Sequence, residues 1–86
     1  VKITWDELKR RSNLFKHGFD FAEIDAGFLL NAVVSPVRAG RIKIVGRLRD
    51  TIVVVVIAAP LGREAISIIS LRRASVKERK VLDDET

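Results

Sequence analysis

Apolar and polar positions along this chain change at Ala32 from a mainly helical spacing to a strand-like alternation. Ahead of the change, Val1 to Thr4 alternates and reads as a short first strand. Asp6 is a good N-cap for a helix running to about His17, with Gly18 as its stop. Trp5, Leu8, Ser12 and Phe15 fall on one side of that helix, while Lys9, Arg10, Arg11 and Lys16 cover much of the rest. A second helix is signalled by Asp20 and Glu23, an Asp variant of the capping box, with Phe19 and Ile24 at hydrophobic-staple positions. Phe21, Ile24 and Phe28 form its expected core stripe.

Beyond Ala32, Pro36, Gly40, Asp50, Pro60 and Gly62 punctuate strands expected near 31–36, 41–49, 52–59 and 64–72. Their short connections favour an antiparallel meander, because parallel neighbours need crossovers of about a dozen residues or more. The apolar run from Ile52 to Leu61 is rich in β-branched residues and reads as a central strand. Ser75 and Glu78 then form a capping box that opens a last helix, fraying into Asp83-Asp84-Glu85. The expectation is an α+β domain spanning residues 1–86. It has two N-terminal helices packed on a mainly antiparallel sheet of about four to five strands, and a short C-terminal helix.

Composition narrows the function classes. The absence of cysteine removes disulfides, thiolate metal sites and thiol catalysis together. The apolar run is far shorter than the roughly 20 residues of a membrane-spanning helix, and the N-terminus lacks the apolar core of a secretory signal. A cytoplasmic protein without a membrane partner is expected. Net charge is +5, but between Arg38 and Lys80 eleven basic residues face three acidic ones. Such a field attracts polyanions.

The strand at 41–49 carries this charge in a pattern. Alternation places Arg41, Lys43, Arg47 and Arg49 on one face and Ile42, Ile44 and Leu48 on the other. Four like charges on one face repel unless an anion or an acidic partner compensates them. Arg72 and Arg73 fall on opposite faces, so at most one points where Ile66 and Ile68 point. There is no phosphate-binding glycine loop, no His/carboxylate set at metal spacing and no serine nucleophile elbow. No metal or nucleotide cofactor is expected.

An ordered series of residues resembles the BrnT family, the toxins of BrnT/BrnA type II toxin–antitoxin systems. It comprises Trp5-Asp6, Lys9, Asn13, Lys16-His17-Gly18, Phe21 and Ala22, then Arg41 and Ile44-Val45-Gly46. The valine-rich strand, Ile68-Ile69-Ser70, Arg72-Arg73-Ala74 and Glu78-Arg79 complete it. The chain departs from the family pattern at Ser67, where members often carry arginine, and at Leu82, where they often carry an aromatic. The resemblance implies a RelE-like fold and a metal-independent ribonuclease that inhibits growth. It also implies neutralisation by BrnA, a small ribbon-helix-helix antitoxin, in a complex expected to hold two copies of each chain. Operator DNA would be reached only through that antitoxin.

RNA carries its own nucleophile in the 2′-hydroxyl, so a cleaving protein needs positioning, proton transfer and cations for the charge that develops on phosphate. Arg41 and Arg72 are candidates for phosphate stabilisation and His17 or Glu78 for proton transfer. Lys43, Arg47, Arg49, Arg73 and Arg79 are candidates for RNA binding. Each has a structural alternative. His17 also suits the last turn of a helix, Arg72 or Arg73 can pair with Glu64 or Glu78, and Glu78 can serve as the capping-box acid, its functional reading being a general base or an orienter of Arg72. Trp5 is expected in a core or interface. The rival reading is a non-catalytic module that binds RNA or DNA through the same basic face. Exposed aromatics for base stacking would favour it, and the phenylalanines lie mainly on helix stripes.

Overall fold

The computed structural model describes residues 1–84 of the chain, so Glu85 of the expected fraying end lies outside the described residues. Five strands form one mixed sheet in the order β1-β5-β4-β3-β2. They are β1 (Lys2–Trp5), β2 (Val33–Pro36), β3 (Ile42–Leu48), β4 (Ile52–Leu61) and β5 (Ala65–Arg73). β2 to β5 make the expected antiparallel meander, and β1 adds to β5 in parallel. Three α-helices accompany the sheet: α1 (Glu7–His17), α2 (Ala26–Leu30) and α3 (Val76–Asp84).

β4 explains its own unbroken apolar run. Val54, Val56 and Ala58 face a core built with Phe19, Phe21, Ile24, Phe28, Ile44 and Leu71, while Val53 and Val55 face a second cluster with Val45, Ala74 and Leu82. A strand covered on both faces needs no polar alternation. Gly46, between Ile44 and Leu48, leaves the space that Phe28 fills: a β-carbon there would sit 2.8 Å from the Phe28 ring.

Two expectations need correction. The capping box at Asp20 and Glu23 forms in full, but it opens only a single 3-10 turn, Phe21–Glu23. Ile24 is extended, and Asp25 then caps a separate helix by accepting the Phe28 N–H at 2.9 Å. The break lets Phe21, Ile24 and Phe28 all reach the core. The second correction concerns α1. Leu8 and Phe15 face solvent, 75% and 92% exposed, and the buried residue of that helix is Asn13.

The reason lies at the edge of the sheet. β1 pairs with β5 only as far as Ile68, which leaves the outer edge of β5 open beyond it. α1 lies along that edge, and the Asn13 amide accepts from the Leu71 N–H at 3.0 Å and donates to the Leu71 carbonyl at 2.7 Å. It also donates to the Phe19 carbonyl at 3.3 Å. A polar contact with backbone, and not the apolar stripe, thus sets the roll of the helix. Arg10, one turn before Asn13, ties the same side of the helix down through a two-point pair with Asp20 and a bond to Glu7.

Candidate active site

A β-bulge decides which arginine reaches which side of the sheet. Ser70 pairs with Ile57 and Ile68 with Ala58, so Ile69 is an extra residue in β5. Ile66 and Ile68 face the first core, and after the bulge Leu71 does too. Arg73 follows on that side, with its guanidinium 6.0 Å from the Phe19 ring centre. Without the extra residue Arg72 would share the face of Ile66 and Ile68. Instead it turns to the opposite face, where α3 lies.

There Arg72 meets Glu78 in a two-point bond, Nη1 to Oε1 at 2.8 Å and Nη2 to Oε2 at 2.9 Å. Lys43 reaches the same carboxylate from β3 at 2.6 Å. The capping box is complete: Glu78 accepts the Ser75 N–H at 2.9 Å, and the Ser75 hydroxyl accepts the Glu78 N–H at 3.2 Å. The capping box of Glu78 and its pairing with Arg72 therefore occur together. Arg72 first, then Lys43 and the Ser75 N–H, hold its carboxyl well below the usual carboxylate range, against the opposing effect of burial. The same pairing raises Arg72.

This cluster lines a groove of about 610 Å³ together with Ser75, Lys77 and Val81. Glu78 grips Arg72 through its two terminal nitrogens, Nη1 also donates to the Arg73 carbonyl at 3.3 Å, and Nε has no hydrogen-bond partner among the described residues. Arg41, exposed and in extended backbone just before β3, continues the alternation of Lys43 on this face and makes no ion pair to a described residue. Half-buried Ser67 and Ser70 lie on the same face of β5.

The four-residue cationic row is not all available. Arg49 lies in the left-handed region, φ 53°, as does Asp50 after it, and this turn takes its side chain out of the strand alternation. It crosses to Glu23, with both bonds at 2.7 Å. Arg47 pairs with Asp83 at 3.1 Å. A larger hollow of about 710 Å³ opens beside α2, but these are the arginines that line it, and both are neutralised.

His17 is exposed in the last turn of α1, ahead of Gly18 in the left-handed conformation, and no described contact joins it to Arg72, Lys43 or Glu78. Arg79 is exposed on α3. Trp5 packs edge-on against Phe21 with ring centres 6.4 Å apart, which matches its expected core role. No group of three or more described His, Cys, Asp or Glu residues is placed to hold a metal ion. Sequence reasoning missed the use of Asn13 and the meeting of Lys43 with Glu78. The bulge at Ile69 had no glycine to announce it.

The family model for BrnT, the ribonuclease toxin of type II toxin–antitoxin systems, matches residues 5–78. The chain belongs to this family. The crystal structure of the Brucella abortus ribonuclease toxin BrnT is 47% identical in sequence, with a TM-score of 0.82 over 87% of this chain and 97% of that one. No curated protein matches. As a BrnT member the chain is a ribonuclease toxin of a type II toxin–antitoxin system, and the α+β architecture with a five-stranded mixed sheet is shared with its solved relative. The match begins at Trp5 and ends at Glu78, so it spans every residue of the Arg72 cluster.

Proposed function

We propose that RNA is cut in the groove at Arg72, without a metal ion, through attack of its own 2′-hydroxyl. The observation that carries this reading is the Arg72–Glu78 pair: a guanidinium fixed at one edge by a carboxylate, with its Nε left to face a phosphate. In the step, a bond forms between O2′ and phosphorus while the bond from phosphorus to O5′ breaks. The 2′-hydroxyl gives up its proton and the leaving O5′ takes one. Arg72 and Arg41 stabilise the negative charge that grows on the phosphate oxygens, and Lys43 adds a cation beside them. Arg79, exposed on α3, places the flanking RNA, while Arg73 lies on the opposite face against Phe19.

Glu78 serves as a positioning residue. Its oxygens are occupied by Arg72, Lys43 and the Ser75 N–H, and a carboxyl held so acidic is a weak proton acceptor. His17 has no described contact with the groove, so the O2′ proton passes to solvent water and the leaving O5′ takes one from it. The whole chain, residues 1–86, acts as one RelE-like toxin domain in the cytoplasm. Its partner is a BrnA-like ribbon-helix-helix antitoxin, two copies of each chain, through which alone operator DNA is bound.

RNA incubated with the purified chain in excess EDTA tests this reading. The expected products are 2′,3′-cyclic or 3′-phosphate ends, and a substrate with deoxyribose at the cut site should resist. Cleavage of that substrate, or loss of activity on chelation, would overturn the mechanism.

A further inference from the structure

Leu8 and Phe15, of the apolar stripe expected on α1, join neither core. Leu8 and Phe15 lie two turns apart on the side of the helix opposite Asn13, and Leu14, 39% exposed, flanks them. An outward phenylalanine that is 92% exposed contributes nothing to folding, and a ridge of this kind marks a contact surface. Its charged borders describe the partner. Lys9 and Lys16 make no ion pair to a described residue, and Arg11 has only Glu7 at 3.7 Å.

A second copy of this chain would set those cations against themselves. RNA would gain phosphate contacts, but Leu8 offers no ring for a base and the spacing of Leu8 and Phe15 is that of a helix-packing seam. We therefore infer that the outward face of α1 is a docking surface for an acidic amphipathic helix of the antitoxin. The inference rests on the type II reading of the chain and goes beyond it, because this ridge is separate from the Arg72 groove. The antitoxin would anchor on α1 with one segment while another covers the RNA site. An anchor of this kind is retained while the groove is occupied.

The test uses the full chain and the antitoxin encoded beside its gene. Leu8→Ser with Phe15→Ser should weaken antitoxin binding by about tenfold or more, the loss expected on truncating central anchors. The thermal melt and the cleavage rate of the free toxin should not change. Lys9→Glu with Lys16→Glu should weaken binding too, through charge alone, and gives a second readout if the serine variant folds poorly. Wild-type antitoxin affinity in both variants would overturn the inference, as would a wild-type toxin that does not bind the antitoxin. So would lost RNA affinity with antitoxin binding intact, or a toxin homodimer that the serine variant dissolves. Failure of the wild-type chain to cleave RNA would count against the Arg72 mechanism and leave the binding comparison readable.

Discussion

Asn13 does for Leu71 what a neighbouring strand would do. Its side-chain amide satisfies both the N–H and the carbonyl of a residue 58 positions away, at 3.0 and 2.7 Å, where β1 has ended and the edge of β5 would otherwise be open. That contact seats α1, and with it the strand end from which Arg72 and Arg73 diverge.

Asn13→Ala should therefore destabilise the protein by on the order of 3 kcal/mol, since it leaves buried backbone groups of Leu71 and Phe19 without partners. Asn13→Asp should be no better. A carboxylate still accepts from the Leu71 N–H but cannot donate to the two carbonyls, and it brings a charge into a buried site. Urea unfolding of the three proteins checks this. Equal midpoints would show that water replaces the amide.

Gly46→Ala should cost about 1–3 kcal/mol, the usual range for overpacking a filled core. The added methyl would meet the Phe28 ring at 2.8 Å and the Ala32 β-carbon at 3.1 Å. Loss of near-ultraviolet dichroism from the displaced phenylalanine should accompany the lower melting temperature.

Acid should unfold the protein through its paired carboxyls. Arg72 holds Glu78, Arg10 holds Asp20 and Arg49 holds Glu23 below the ordinary carboxylate range. Each folded-state value is depressed, so between it and the unfolded value of about 4 the unfolded chain binds more protons. The stabilisation is complete above that unfolded value and is lost as pH falls through the folded one. Melting temperatures from pH 7 to pH 3 should fall. Glu78→Gln should flatten the fall and lower stability at pH 7 by about 1–3 kcal/mol, because Arg72 and Lys43 lose their shared anion. An unaltered pH profile in that variant would mean the pair does not form in solution.

Local signals in the sequence were reliable where the chain's near neighbours decide the outcome. The Asp6 and Ser75 caps, the Gly18 stop and the strands of the meander follow from propensity and turn chemistry, and all are present. Long-range competition decided the rest. The helix period of α1 pointed to Leu8 and Phe15, and a single amide facing an open strand edge overrode it. Alternation correctly separated Arg72 from Arg73, yet an extra residue at Ile69 determined which one would meet α3. Alternation also failed at Arg49, where the turn backbone takes over from the strand.

The salt dependence of RNA binding should separate the cations that face substrate from those already neutralised. Each phosphate contact to single-stranded RNA contributes about 0.7 to the slope of log affinity against log salt. Arg41 has no described ion pair and stands beside Lys43 on the groove face, so Arg41→Gln should lower the slope by up to about 0.7. Arg79→Gln should act in the same direction. Arg49 is held by Glu23 on the other side of the sheet, with both bonds at 2.7 Å, so Arg49→Gln should leave the slope unchanged while it lowers thermal stability. Fluorescence anisotropy with a short RNA across a salt series makes the comparison, on a Glu78→Gln background if cleavage interferes. A slope that responds to Arg49 and ignores Arg41 would place the RNA beside α2, in the larger hollow, and would remove Arg72 from the site.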